Sequence, residues 1–101
     1  ERGIIIGAGT DTLGDMVDEL RLLHACGLST MECLLAATGN ATRICGLSGS
    51  VGTVEPGKIA DLMMVRGNPL HNLDALRHVK AVIRAGRLVD SAFMIAEDAA
   101  I

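Results

Sequence analysis

The hydrophobic positions follow a strand-like pattern at the start of the chain and a helical pattern directly after it. The run Ile4-Ile5-Ile6 shows no alternation with polar residues, which predicts a strand buried on both faces, as in a parallel sheet. Met16, Leu20 and Leu23 then recur at i, i+4 and i+7, the spacing of one helix face. A helix is therefore predicted over residues 15–26.

Capping residues mark the ends of the predicted helices. Gly27 fits the C′ position that stops the first helix, because glycine adopts a left-handed conformation without strain. Ser29 and Glu32 have the spacing of a capping box and start a second helix. Asn40 is interpreted as the cap of a third short helix over residues 41–45, rather than as a ligand. The first half is thus predicted as a strand followed by three helices.

The second half of the chain consists of short apolar runs separated by turn residues. Glu55-Pro56-Gly57-Lys58 places Pro and Gly where a type II turn requires them. Asp61, after this turn, is predicted to accept hydrogen bonds from neighbouring backbone amides, and Met63 and Met64 are interpreted as core filling. The predicted elements are strands over 52–54, 62–65, 79–83 and 87–89, the last two joined as a hairpin across Ala85-Gly86, a helical turn over 73–76 and a marginally stable helix over 91–101.

The composition suits one small domain with an aliphatic core. Half of the 101 residues are hydrophobic, yet Phe93 is the only aromatic residue. This balance favours helices packed on a sheet, an α/β fold, over an aromatic-rich β-sandwich. The net charge is −3 with acids and bases interspersed, so no surface for nucleic acid is predicted. No apolar stretch approaches the roughly 18 residues that would argue for a membrane span, so no membrane partner is predicted.

Cys26, Cys33 and Cys45 fall in predicted helices among apolar neighbours. No C-x-x-C pair is present, which argues against a zinc knuckle or a redox pair. All three are interpreted as buried, reduced thiols, the state expected of a cytoplasmic protein. The chain begins at Glu1 without Met, so we expect a fragment or a processed piece of a longer protein.

Asp11 is the strongest candidate for chemistry. It is the only acidic residue in the turn Gly7-Ala8-Gly9-Thr10-Asp11-Thr12, directly after the predicted strand. The carboxyl ends of strands are where α/β proteins place their active sites. Asp11 is also a suitable N-cap for the following helix, whereas a dinucleotide-binding fingerprint fails because its third glycine position falls on Thr12. Thr10 and Thr12 either orient Asp11 by hydrogen bonds or only shape the turn.

Four blocks of sequence follow one another in a specific order. They are Gly9-Thr10-Asp11-Thr12, residues 19–29 leading into 36–41, residues 52–62 with Gly67-Asn68-Pro69-Leu70 beyond them, and residues 79–89. Together these blocks resemble the C-terminal end of metal-dependent amidohydrolases, the superfamily that contains imidazolonepropionases, prolidase-like enzymes and dihydroorotases. The resemblance covers nearly the whole chain, to about Val89.

The resemblance implies the end of a (β/α)₈ TIM barrel followed by part of a small flanking β-sandwich. Residues 1–47 would be the eighth strand, over 3–9, with the helices that follow it, and residues 48–101 the C-terminal part of the sandwich with a tail. Asp11 would ligate the more buried metal ion, and would pass a proton from the attacking water to the leaving group. The complete enzyme would use one or two divalent metal ions, expected to be Zn²⁺, to hydrolyse a C–N bond in a small amide, cyclic amide or dipeptide.

The family's other metal ligands lie on barrel strands that this chain does not contain, so the chain alone is expected to be inactive. His24, His71 and His78 are isolated and fall outside the family's ligand motifs. Because a metal site needs clustered ligands, these histidines are interpreted as surface or structural residues.

Two further hypotheses compete with the enzyme. A lone eighth strand would leave its edges unpaired, which favours self-association. The chain would then be a freestanding structural or oligomerising module, and a homo-oligomer is predicted. Alternatively, the glycine turn and the helix N-terminus would bind a small anion.

Overall fold

Three short helices precede a three-stranded antiparallel sheet in the computed structural model, which describes residues 3–11 and 14–89. The elements are α1 (Met16–Ala25), α2 (Thr30–Ala37), α3 (Gly39–Ile44), β1 (Leu62–Val65), β2 (Val79–Arg84) and β3 (Arg87–Leu88), with a 3₁₀ helix, Leu73–Arg77, between β1 and β2. The strand order in the sheet is β1-β2-β3, so each strand pairs with the next one along the chain.

α1 begins and ends where the capping residues predict. Asp15 is its N-cap, and Asp15 Oδ1 accepts a hydrogen bond from the backbone N–H of Asp18 at 2.8 Å. Gly27 follows the helix with a φ of +116°, in the left-handed region that ends helices readily. Because Asp15 holds the N-cap position, the alternative that Asp11 caps this helix is wrong.

The capping box of α2 is confirmed, whereas the cap predicted for α3 is wrong. Ser29 Oγ accepts a hydrogen bond from the Glu32 N–H at 3.1 Å, and the Glu32 carboxylate accepts one from the Ser29 N–H at 2.8 Å. α3 begins one residue before Asn40, so Asn40 lies in its first turn. The Asn40 side chain donates instead to the carbonyl oxygen of Ile6, 34 residues earlier in the chain.

The predicted hairpin across Ala85-Gly86 is confirmed. β2 and β3 are antiparallel, with Ile83 opposite Leu88. Both turn residues have a positive φ, +51° for Ala85 and +80° for Gly86, as a type I′ turn requires. The strand predicted over 62–65 is also confirmed as β1, which pairs with β2.

The predicted turns of the second half form as well. The Lys58 N–H donates to the Glu55 carbonyl at 3.3 Å, and Gly57 between them has a φ of +92°. The helical turn predicted over 73–76 is the 3₁₀ helix, whose N-cap is Asn72.

Two other predictions for the second half are wrong. Residues 52–54 form no strand, because Gly52 has a φ of +105° and packs against Thr42 of α3. Met63 and Met64 are not core residues, since they are 51% and 53% exposed. Successive strand residues point to opposite faces, so both faces of the sheet are open to solvent at β1.

The core joins the helical half to the second half. Leu20 of α1, Cys33 of α2 and Leu73 of the 3₁₀ helix form one buried cluster. Burial raises the pKa of the Cys33 thiol, which keeps it protonated at neutral pH. Cys26 and Cys45 are free and exposed, since they are the C-caps of α1 and α3. The prediction of three buried thiols is therefore wrong for these two.

Among the described residues, no helix has the length and apolar character needed to cross a membrane. The helix predicted over 91–101 lies outside the described residues, and so does Thr12.

Candidate functional site

Residues 3–11 form a segment that runs along the helices, and Asp11, the candidate carboxylate, is its last residue. Within the described parts of the chain, this segment forms no helix and pairs with no strand. Two hydrogen bonds hold it on the helices. The Ala8 N–H donates to the Ala36 carbonyl at 2.8 Å, and the Asn40 side-chain amide donates to the Ile6 carbonyl at 3.2 Å. The segment is therefore anchored both to the end of α2 and to the start of α3.

Small residues allow this segment to approach the helices closely. A Cβ at Gly7 would lie 2.7 Å from Ile44 Cδ1 and 3.8 Å from Ala41 Cα. Ala8 packs against the buried cluster, whereas Ile4 is 74% exposed. The prediction of a strand buried on both faces is wrong for the described residues, because the helices cover only part of the segment.

Asp11 itself is exposed. No basic side chain in residues 3–11 or 14–89 forms an ion pair with it. Within the same ranges, Thr10 makes no hydrogen bond to Asp11, so the geometry lends no support to an orienting role for Thr10. The carboxylate oxygens of Asp11 are open to a ligand, and carboxylate oxygens are among the donors that bind divalent metal ions.

The other metal-ligating side chains do not converge on Asp11. The described residues contain no group of three or more His, Cys, Asp or Glu side chains that could hold a metal ion. His24, His71 and His78 are all exposed, and His24 Nδ1 lies 2.7 Å from the Leu28 carbonyl oxygen, which fits the interpretation of these histidines as surface or structural residues. His24 and His71 line one cleft of about 310 Å³. Arg21 lines the same cleft, and its positive charge opposes the binding of a cation there. This cleft is therefore a poor metal site.

Asp61 lies in the second half and has a structural role. Its Oδ1 accepts a hydrogen bond at 2.8 Å from the backbone N–H of Ala85, 24 residues away, in the turn of the hairpin. The prediction that Asp61 binds a backbone amide is confirmed, although this amide belongs to a distant turn and not to the neighbouring loop. Asp61 also borders an apolar cavity of about 710 Å³ between the end of α2 and the sheet.

Comparison with known proteins relates these features to a family. The sequence profile described as the amidohydrolase family matches residues 1–89. A solved structure of a Bifidobacterium longum protein assigned as a prolidase has a TM-score of 0.80 and 38% identity, and the match covers 98% of this chain and 28% of that chain. A prolidase complexed with N-methylphosphonate-L-proline has a TM-score of 0.73 and 35% identity, covering 83% and 22%. Phenylurea hydrolase B has a TM-score of 0.74 and 32% identity, covering 81% and 18%.

No curated protein sequence matches this chain. The chain spans between 18% and 28% of the length of the three structures described above. The family profile nonetheless includes Asp11, the three helices and the sheet. The chain therefore belongs to the amidohydrolase family.

Proposed function

We propose that this chain is the C-terminal part of a metal-dependent hydrolase that cleaves a C–N bond in a small amide, cyclic amide or dipeptide. The observation that carries the proposal is the family match over residues 1–89, which includes Asp11. The prolidase names of two similar structures favour a dipeptide among these substrates. The prolidase names and the name of the phenylurea hydrolase each indicate a substrate that contains a C–N bond.

The proposal assigns the two halves of the chain to different parts of the complete protein. Residues 1–47 would be the end of a (β/α)₈ barrel, and residues 48–101 would be the C-terminal part of a small β-sandwich. The helices that follow the Asp11 segment support the first assignment, and the antiparallel sheet supports the second. Exposed apolar side chains at Ile4, Met63 and Met64 are consistent with further protein covering these surfaces.

The residues present fit one metal ligand and no more. Asp11 offers an exposed carboxylate without a basic partner in the described ranges. The described residues contain no group of three or more metal-ligating side chains, so the remaining ligands would come from other parts of the complete protein. A bound divalent metal supplies polarisation of the scissile carbonyl and a water of lowered pKa. On its own, the 101-residue chain is expected to be inactive.

Asp11 would carry the proton transfers. One carboxylate oxygen accepts a proton from the attacking water, and the same carboxyl group then donates it to the leaving nitrogen. This transfer turns the leaving group into a neutral amine. The exposed oxygens of Asp11 leave room for both transfers, because a general base or acid must lie within hydrogen-bond reach of the proton that it transfers. Assembly as a homo-oligomer and a cytoplasmic location stay predictions from the sequence.

The test is Asp11→Asn in the complete protein, assayed against a panel of dipeptides with proline in the second position and simple amides. We expect kcat to fall by about 10²–10⁴-fold, the contribution typical of a general base, together with reduced Zn²⁺ content. Asp61→Asn is the matched control, because an Asn oxygen can still accept the Ala85 N–H. Unchanged turnover and Zn²⁺ content in Asp11→Asn would contradict the proposal.

The second candidate is a freestanding structural or oligomerising module. The exposed Ile4, Met63 and Met64 side chains fit this candidate as well, because a second copy of the chain would then cover them. The intact mass of the native protein separates the two candidates. A mass well above 10.5 kDa, with one or two metal ions per chain, supports the enzyme. A mass of 10.5 kDa without metal supports the module.

A further inference from the structure

We propose that Asn40 is a positioning residue for Asp11: its side-chain amide fixes the segment that carries the catalytic carboxylate. This inference rests on the proposed role of Asp11. The hydrogen bond from Asn40 Nδ2 to the Ile6 carbonyl is 3.2 Å long and joins residues 34 positions apart. Asn40 lies in the first turn of α3, so a helix supports the donor.

A second hydrogen bond completes the attachment. The Ala8 N–H donates to the Ala36 carbonyl at 2.8 Å. One contact uses a carbonyl of the segment and the other uses an N–H, two residues further on. Two such contacts at successive positions fix the direction of the segment as well as its location. Asp11 follows Ala8 by three residues, so its Cα lies within about 11 Å of the second contact.

Residues 6–8 make the close contacts between the segment and the helices. Gly7 lies against α3, where a Cβ would come within 2.7 Å of Ile44 Cδ1. Ala8 packs on the buried cluster. Gly9 has no atom within 4 Å of the position that its Cβ would take, leaving aside its chain neighbours. On the N-terminal side of Asp11, the hydrogen bonds at Ile6 and Ala8 are therefore the described attachments nearest to the carboxylate.

The contact with Ile6 requires a hydrogen-bond donor at position 40. The Ile6 carbonyl accepts only from an N–H or O–H donor, and the Asn side chain supplies two N–H groups. Asn40→Asp has nearly the same shape but places a carboxylate oxygen against the carbonyl oxygen, which repels it. Asn40→Ala removes the donor without adding charge, at a helical position where Ala is well tolerated. The two variants therefore remove the same hydrogen bond in different ways.

The experiment uses the complete protein and compares Asn40→Asp, Asn40→Ala and a matched control, Asn72→Asp. The control makes the same chemical change at a residue whose Oδ1 accepts the Asp74 N–H, a role that Asp retains. The measurements are kcat and KM on the dipeptide and amide panel, Zn²⁺ affinity by chelator competition, amide hydrogen exchange of the peptide that contains Ala8, and the melting temperature.

Both Asn40 variants are expected to lower kcat or Zn²⁺ affinity by about 10–100-fold, the usual effect of losing an interaction that orients a metal ligand. We expect KM to change less than twofold, and hydrogen exchange at Ala8 to become faster. Asn72→Asp should leave all of these quantities unchanged. If Asn40→Asp does not fold, Asn40→Ala supplies the same readouts.

The outcome that overturns the inference is a drop in melting temperature alone, with kcat, Zn²⁺ affinity and Ala8 exchange unchanged in both Asn40 variants. That result would make the Asn40 contact a structural tie without influence on the site. The failure of the proposed function has a different signature. It appears in Asp11→Asn, as unchanged turnover and Zn²⁺ content, and does not depend on the Asn40 variants.

Discussion

Asp15 Oδ2 lies 2.6 Å from Arg77 Nη1, although the two residues are 62 positions apart. Through Nη2 the same guanidinium binds Asp18 at 2.7 Å, and its Nε lies 3.5 Å from Asp74. Arg77 thus joins the start of α1 to the 3₁₀ helix. The hydrogen bond from Arg77 to Asp15 also raises the pKa of the arginine. This contact holds the helical half against the second half, beside the core residues.

Removing Arg77 should loosen that junction. An isolated surface ion pair contributes little, but one guanidinium that meets three carboxylates forms a network. We expect Arg77→Ala to lower the melting temperature of the protein, and Arg77→Lys to recover only part of the loss because an ammonium lacks the planar fork. Arg87→Ala on the exposed strand β3 is the control and should have no effect. Equal melting temperatures for Arg77→Ala and Arg87→Ala would refute this prediction.

Acid should weaken the same junction. The hydrogen bond from Arg77, followed by that from the Asp18 N–H, holds the pKa of Asp15 below its ordinary value. In the capping box of α2, the hydrogen bond from the Ser29 N–H likewise lowers the pKa of the Glu32 carboxyl. A carboxyl whose pKa is lower in the folded state stabilises the fold above its unfolded pKa, near 4, and this stabilisation is lost as the pH falls through the folded pKa.

The measurement is the free energy of unfolding from denaturant titrations between pH 7 and pH 2. Asp15→Asn retains an oxygen that can cap α1 but cannot ionise, so its stability should fall less steeply in acid. An acid dependence identical to that of the unmodified protein would show that Asp15 does not contribute to it.

The three thiols should differ sharply in reactivity. Cys26 and Cys45 are exposed at helix ends, while Cys33 is buried and burial raises its pKa. Because the thiolate is the reactive form, N-ethylmaleimide should modify Cys26 and Cys45 in the native protein and Cys33 only after unfolding. Peptide mass spectrometry of the labelled protein measures each site. Labelling of all three at one rate would contradict the burial of Cys33.

Gly52 should tolerate no side chain. Its φ is +105°, and a Cβ there would lie 2.8 Å from Thr42 Cγ2. Gly52→Ala should therefore reduce the free energy of unfolding by more than about 1 kcal/mol, since both the backbone and the contact become strained. Gly49→Ala is the control, because nothing lies within 4 Å of its Cβ position, and its effect should stay within about 0.5 kcal/mol. Similar losses for the two variants would argue against a tight contact at Gly52.

Features whose partners are close in sequence were predictable from local chemistry. The capping box joins Ser29 to Glu32, and the hairpin turn lies between paired residues of β2 and β3. The helix over residues 15–26 could be read from its apolar spacing and its glycine stop. Each of these rests on contacts within a few residues, so the residue types alone contain the necessary information. The family could likewise be identified from the order of its sequence blocks, and the profile match confirms it.

Features whose partners are distant along the chain depended on the way the elements pack. Asn40 is a residue type that commonly caps helices, yet its side-chain amide donates to the Ile6 carbonyl, 34 residues earlier in the chain. Met63 and Met64 are apolar, yet they are exposed on the sheet. An apolar side chain favours burial, but the sequence alone does not determine which element will cover it. The turn of small residues around Asp11 predicts a candidate site, but the attachment of residues 6–8 to α2 and α3 follows from hydrogen bonds and close approaches that no local pattern encodes. Long-range contacts of this kind exist only once the helices have packed, since the folded backbone alone brings their donors and acceptors together.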